Sequence, residues 1–254
     1  MNHQGGTFRD GWSIRSIAAL GIVMLCGFQG CGRSGPVPPR ALEEGGTLWR
    51  IEDGGGSRTE LAGDGFYGGA RGAGAIYYAF FEIETDGAPL RVLQCSADGT
   101  IVASRLLVRD GWEAANAILR VTWLRGNRVF VDTHVNPSLG FGVEIDLDSG
   151  ASNVYAGTTF AWDTDARRVA FLCEPPHFGS PPDAPSKLLV GHEEICDVPR
   201  RLRSELFWNA RGDALTAFIP PEDGRPGELV LVTFPDNAPR RVERFDLQAA
   251  KEPP

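Results

Sequence analysis

Between residues 115 and 246 the chain alternates short apolar runs with tight polar turns, and three pairs of runs share one layout. Val121-Thr122-Trp123 precedes Arg128 to Val131, Phe160-Ala161-Trp162 precedes Arg168 to Leu172, and Leu206-Phe207-Trp208 precedes Leu215 to Ile219. Each pair reads as a tryptophan-ended strand, a turn and a second apolar strand. The tryptophans are 39 and 46 residues apart, a repeat period rather than a helical one. A third strand follows in every unit: Phe141 to Leu147, Lys187 to Gly191, and Glu228 to Phe234. A short fourth strand closes it.

Upstream, Ala75 to Ile83, Leu90 to Cys95 and Thr100 to Val108 supply a fourth unit without a tryptophan. Thr47 to Ile51 and Arg58 to Leu61, joined through Asp53-Gly54-Gly55-Gly56, give half a unit more. A four-stranded sheet that is apolar on both faces cannot bury both alone, so the units must stack. Burying one tryptophan between sheets removes ~200 Å² from water and contributes several kcal/mol at ~25 cal/mol per Å². The expectation is an all-β domain over residues 46 to 248, an array of about four to five four-stranded antiparallel sheets, closed or open.

Trp162-Asp163-Thr164-Asp165-Ala166-Arg167-Arg168-Val169-Ala170-Phe171 resembles the repeat of TolB-like and prolyl-oligopeptidase-type β-propellers, whose pattern is Trp-Ser-Pro-Asp-Gly, two variable residues and a small apolar strand. Trp162 and Asp165 are kept, with Ala166 in place of the turn glycine. The copy at Trp208 keeps Gly212 but has Arg211 for the acid, and the copy at Trp123 is one residue shorter. The resemblance implies propeller-like blades with Trp123, Trp162 and Trp208 as the repeat core. An array left open would have edge strands that invite a partner or a second copy.

The first thirty residues read differently. Arg9 and Arg15 precede an apolar run from Ile17 to Phe28, too short for a bilayer core that takes ~20 helical residues, and the layout is that of a signal peptide over residues 1 to 30. Gly27-Phe28-Gln29-Gly30-Cys31 resembles the bacterial lipobox. That resemblance implies lipidation of Cys31 with palmitate-type chains, while a cleaved soluble periplasmic protein and an uncleaved anchor stay open as alternatives. Residues 31 to 45, rich in Gly and Pro at their start, read as a tether. Gly32 in place of Asp favours the outer over the inner membrane, with the domain facing the periplasm or the cell surface.

The formal charge of −8 becomes −9 once the +1 of residues 1 to 30 is removed, and no basic run is interleaved with aromatics, which argues against nucleic acid. Beyond the leader lie Cys95, Cys173 and Cys196. An exported chain can hold disulfides, so either Cys173 pairs with Cys196 or the thiols are free.

Catalytic and metal signals are weak. His192-Glu193-Glu194 has Cys196 where a zinc-binding helix would place its second histidine. His134 and His177 belong to no cluster with metal spacing. The acids of Asp146-Leu147-Asp148 and Asp163-Thr164-Asp165 suit turns as well as calcium. The glycines at 54 to 56 and 68 to 74 lack a phosphate-loop lysine, and no Gly-x-Ser-x-Gly elbow is present. No cofactor is expected.

The insertion Glu174 to Ser186, with Pro175, Pro176, Pro181, Pro182 and Pro185, is the candidate recognition surface, because proline stiffening lowers the entropy lost on binding. The expected function is a membrane-tethered, non-enzymatic binding or assembly module for a protein or glycan. An enzyme using face carboxylates on a carbohydrate or lactone, and a purely structural lipoprotein, are the rival readings.

Overall fold

The structure is a computed structural model that describes residues 37–248 apart from 53–55, 64–65, 83–86, 137–138, 176–179, 182, 202, 223 and 237. Cys31 and the leader lie outside the described residues. The described chain carries strands and no helix. Sheet 1 comprises β1 (Arg40–Glu44), β2 (Thr47–Ile51) and β3 (Arg58–Ala62). Sheet 2 comprises β4 (Tyr67–Gly72), β5 (Ala75–Phe81), β6 (Leu90–Ser96) and β7 (Ile101–Leu107). Sheet 3 comprises β8 (Ala117–Trp123), β9 (Arg128–Asn136), β10 (Leu139–Asp146) and β11 (Ser152–Ala156). Sheet 4 comprises β12 (Thr158–Trp162), β13 (Val169–Cys173), β14 (Ser186–Val190) and β15 (Glu193–Val198). Sheet 5 comprises β16 (Glu205–Trp208), β17 (Ala214–Ile219), β18 (Gly227–Thr233) and β19 (Arg241–Leu247).

In every sheet the strands pair antiparallel with their sequence neighbours, so each is an up-and-down meander. Four consecutive four-stranded meanders are propeller-like blades.

Strand alternation explains the stacking. On β5, Ile76, Tyr78 and Phe80 meet Ala41, Leu48 and Ala62 of sheet 1, while Tyr77, Ala79 and Phe81 meet Val121, Val129 and Val131 of sheet 3. On β13, Val169 and Phe171 join Phe130 and Tyr155 of sheet 3, while Ala170 and Leu172 join Leu206, Leu215 and Val230 of sheet 5. Four apolar layers thus fill the four junctions between successive sheets. Among the described residues none fills a fifth between sheets 5 and 1, and Phe207 and Phe245 on sheet 5 are 52% and 48% exposed. The array is open.

The three repeat tryptophans each end the first strand of their sheet. The Arg128 guanidinium of sheet 3 lies 6.0 Å from the Trp162 ring of sheet 4, and Arg168 of sheet 4 lies 4.8 Å from the Trp208 ring of sheet 5. An arginine at the start of the second strand (Arg128) or just before it (Arg168) therefore covers the indole of the next sheet. Trp123 packs instead on sheet 2, where a Cβ at Gly72 would come within 2.0 Å of its ring. Only glycine lets β4 approach that closely.

Two expectations need correction. The tether does not run to residue 45: Arg40–Glu44 is β1, and the half-unit is a three-stranded sheet. Gly45 and Gly46, at φ 63° and 78°, form the two-residue hairpin that returns the chain into β2. Backbone bonds from Ala41 to Gly99 (2.8 Å) and from Ile101 to Pro39 (2.9 Å) fix β1 to sheet 2.

Cys173 and Cys196 are free thiols. Cys173 is registered with Lys187 and Cys196 with Leu188, so β14 lies between them and they point to opposite faces. Two strand spacings amount to ~9.6 Å, beyond the ~7 Å Cα separation that a disulfide spans.

Candidate functional site

The Pro-rich insertion returns to the fold at Ser186, which is buried at the start of β14. Its root at Glu174 is held from two sides: Thr158 Oγ1 donates to Glu174 Oε1 at 3.3 Å, and Arg200 Nε lies 3.3 Å from Glu174 Oε2. The Glu174 side chain is only 9% exposed, so this ion pair is largely removed from water. Removing one partner of such a pair leaves an uncompensated charge and is costly. Arg200 belongs to the link from β15 to β16, so a single ion pair ties the insertion to the crossing between sheets 4 and 5.

Beside that tie is a cavity of about 440 Å³. Asp183 and Pro185 of the insertion form part of its wall, Pro199, Arg200 and Arg201 of the link another, and Arg225, Glu228 and Arg244 of sheet 5 a third. Arg244 bridges the sheets: it donates to Glu228 Oε1 at 2.8 Å on its own sheet and to the Asp197 carbonyl at 2.5 Å on sheet 4. The hydrogen bond to Glu228 is the main reason its pKa is raised further above the ordinary arginine value. Arg201 donates to the Arg200 carbonyl at 2.7 Å through one terminal nitrogen, but its Nε is buried with no acceptor. Such a cavity, with convergent charged groups, is of a size suited to a small ligand or to one group of a larger one.

A second groove, about 620 Å³, runs between sheets 1 and 2 along Gly68, Gly69 and Arg71. Its polar pair, Tyr67 and Glu43, is closed on itself by a 3.0 Å hydrogen bond.

The remaining sequence candidates disperse. His192 sits in the β14–β15 hairpin, stacked on Tyr155 with centroids 5.3 Å apart, away from any helix. Asp146 accepts from the backbone N–H groups of Asp148 and Ser149, both at 2.9 Å, which lowers its pKa. Asp163 accepts from the N–H of Arg167 at 2.7 Å and of Arg168 at 3.2 Å. These acids are committed to their turns. Among the described residues no group of three or more His, Cys, Asp or Glu could hold a metal ion.

One carboxyl stands apart. Burial pushes Asp132 on β9 up to about 6, with Arg120 partly opposing the shift from 3.6 Å away.

No protein-family model matches the chain, and no curated protein matches it. Three solved structures are similar in fold. A eukaryotic initiation factor is 12% identical with a TM-score of 0.38, over 83% of this chain and 64% of that one. The β-propeller domain of Cps50 (Swd1) from Myceliophteria thermophila is 11% identical with a TM-score of 0.39, over 83% and 72%. The β-propeller domain of the Trilobed protease from Pyrococcus furiosus, described as having an open velcro topology, is 10% identical with a TM-score of 0.39, over 72% and 58%. The chain spans less than two thirds of the first of these.

The arginines of the cavity went unnoticed in the sequence. Arg200-Arg201-Leu202-Arg203 after Pro199 is the one local signal, a basic run in an acidic chain. Arg225 and Arg244 reach the site only through the meander of sheet 5.

Proposed function

We propose that the chain is an exported lipoprotein, anchored through Cys31, that acts as a non-enzymatic binding module for a protein or glycan, with the cavity between sheets 4 and 5 as its recognition site. The observation that carries the reading is the convergence of three segments on one cavity, one wall of which comes from the proline-rich insertion, whose root is held by the largely desolvated Arg200–Glu174 pair. A wall fixed before binding loses little entropy when a partner arrives.

The anchor rests on the lipobox-like Gly30-Cys31 behind the apolar run from Ile17 to Phe28. A cysteine carrying two or three acyl chains holds firmly, because each buried methylene contributes ~0.8 kcal/mol and stable anchoring takes more than one chain. The Gly/Pro-rich residues that follow give the domain reach from the bilayer. Outer-membrane sorting agrees with Gly32 after the cysteine.

Two measurements test the reading. In cells fed labelled palmitate, the wild-type chain takes up label and Cys31→Ser does not; equal labelling of the two removes the anchor. In a thermal-shift screen of peptides and oligosaccharides, at least one ligand raises the melting temperature of the wild type but not of Asp197→Trp, which fills the cavity from an exposed position on β15. A ligand that shifts both equally binds elsewhere and ends the claim for this cavity.

A further inference from the structure

The charges that line the cavity between sheets 4 and 5 do not all find partners in the protein. Arg244 is paired with Glu228, and Arg200 with Glu174. Arg201 and Arg225 line the same cavity, and neither guanidinium has an ion-pair partner among the described residues. Arg225 is exposed at the end of a turn closed by backbone bonds with Glu222, and it lines the cavity. The Nε of Arg201 is buried and lacks any acceptor. A buried N–H without an acceptor is costly, so the Arg201 guanidinium gains by turning its fork to meet an incoming oxygen.

Two further side chains set a limit on what can enter. Asp183 and Asp197 also line the cavity; both are exposed, and neither has an ion pair among the described residues. They are hydrated and need no partner, but they repel any second negative charge. A group with one planar pair of oxygens matches the guanidinium fork, while a polyanion is rejected.

From the orphaned Arg201 donor, the unpaired Arg225 and the two flanking aspartates, we propose that the cavity is a carboxylate-binding site, taking a single carboxylate group of its ligand between Arg201 and Arg225. This rests on the cavity being the recognition site. Two sources present that chemistry: the C-terminal end of a peptide and a uronic acid of a glycan.

The test titrates the full chain, in detergent and at low ionic strength, with N-acetylglycine, glucuronate and tripolyphosphate, read by calorimetry. The expected result is saturable binding of at least one carboxylate probe, weakened about tenfold or more in Arg225→Ala and in Arg201→Ala, and unchanged in Arg241→Ala, a charge removed on the exposed last strand. Arg201→Lys, which keeps the charge but loses the fork, is expected to bind more weakly than wild type, and the melting temperature of each variant without ligand separates lost binding from lost folding.

The better of the two carboxylate probes assigns the source. Absence of saturable binding by both, equal binding by all folded variants, or tripolyphosphate binding more tightly than either overturns the proposal. If the carboxylates fail while a screened ligand still distinguishes wild type from Asp197→Trp, the cavity remains a recognition site and only its carboxylate chemistry is wrong.

Discussion

The junction between sheets 3 and 4 and the junction between sheets 4 and 5 are built on one plan and filled in two ways. In both, an arginine of the earlier sheet lies over a tryptophan of the later one. The first is packed with rings: Phe130 meets Phe160 at 5.1 Å and Trp162 at 5.4 Å, both edge to face. Its buried Glu144 is satisfied by Arg128, by Asn153 at 3.1 Å and by Tyr155 at 3.2 Å. Burial and that carboxylate push the Tyr155 hydroxyl up to about 12. The second junction is aliphatic, with Leu172, Leu188, Leu215 and Ile219, and its charged groups border an open cavity. Large rings fill space and close a junction, whereas smaller side chains with long arginines at one end leave room for a guest. The repeat supplies the frame, and the filling decides what each junction can do.

The largest expected contrast comes from emptying the ring-packed junction. Phe130→Ala is expected to cost ~3 to 5 kcal/mol, the usual range for a buried phenylalanine, as read from denaturant unfolding. A loss below ~1 kcal/mol would mean that the rings do not carry this junction.

Next in size is a gain. Asp132, on the same face of β9 as Phe130, has a side chain 14% exposed and a pKa of about 6. Its folded pKa lies above the unfolded value, so the protonated form stabilises the fold at low pH. That stability is lost as pH rises from ~4 through ~6. Asp132→Asn is therefore expected to stabilise the protein by ~2 to 3 kcal/mol at pH 8 and by far less at pH 4. A pH-independent difference would remove desolvation as the cause.

A finer contrast separates the two indoles. Trp208 Nε1 donates to the Ala161 carbonyl at 3.2 Å, while Trp162 Nε1 is buried without an acceptor. Replacement by phenylalanine removes similar area from both, so Trp208→Phe should cost ~1 kcal/mol more than Trp162→Phe. Equal costs would show that the Trp208 hydrogen bond adds nothing.

The smallest effect is kinetic. Cys95 is fully buried, and burial pushes its thiol up to about 11, whereas Cys173 and Cys196 are half-buried on opposite faces of sheet 4. Native alkylation without reductant should modify Cys173 and Cys196 first and Cys95 only on unfolding.

The blades were legible because each begins with an aromatic-ended strand and a turn acid, and both leave marks in a linear string. Trp162 with Asp165, and Trp208 with Gly212, are enough to set the register of sheets 4 and 5. β1 was not legible: Arg-Ala-Leu-Glu-Glu offers one alanine and one leucine, and its place comes from its hairpin with β2 and from two backbone bonds, Ala41 N–H to the Gly99 carbonyl and Ile101 N–H to the Pro39 carbonyl, that reach about sixty residues along the chain. The cavity was half legible. The proline insertion stood out by composition, but its arginine wall is assembled from residues 200, 201, 225 and 244, which only the fold brings together.

The unfilled faces at the two ends of the array have a thermodynamic consequence. A ring of blades latched shut melts as one body, but a row with free ends can fray, because its terminal members have a neighbour on one side only. Amide exchange should then be graded, slowest in β9, β10 and β13 and fastest in sheet 1 and β19, and heating should erode the row from its tips before the ring-packed middle gives way.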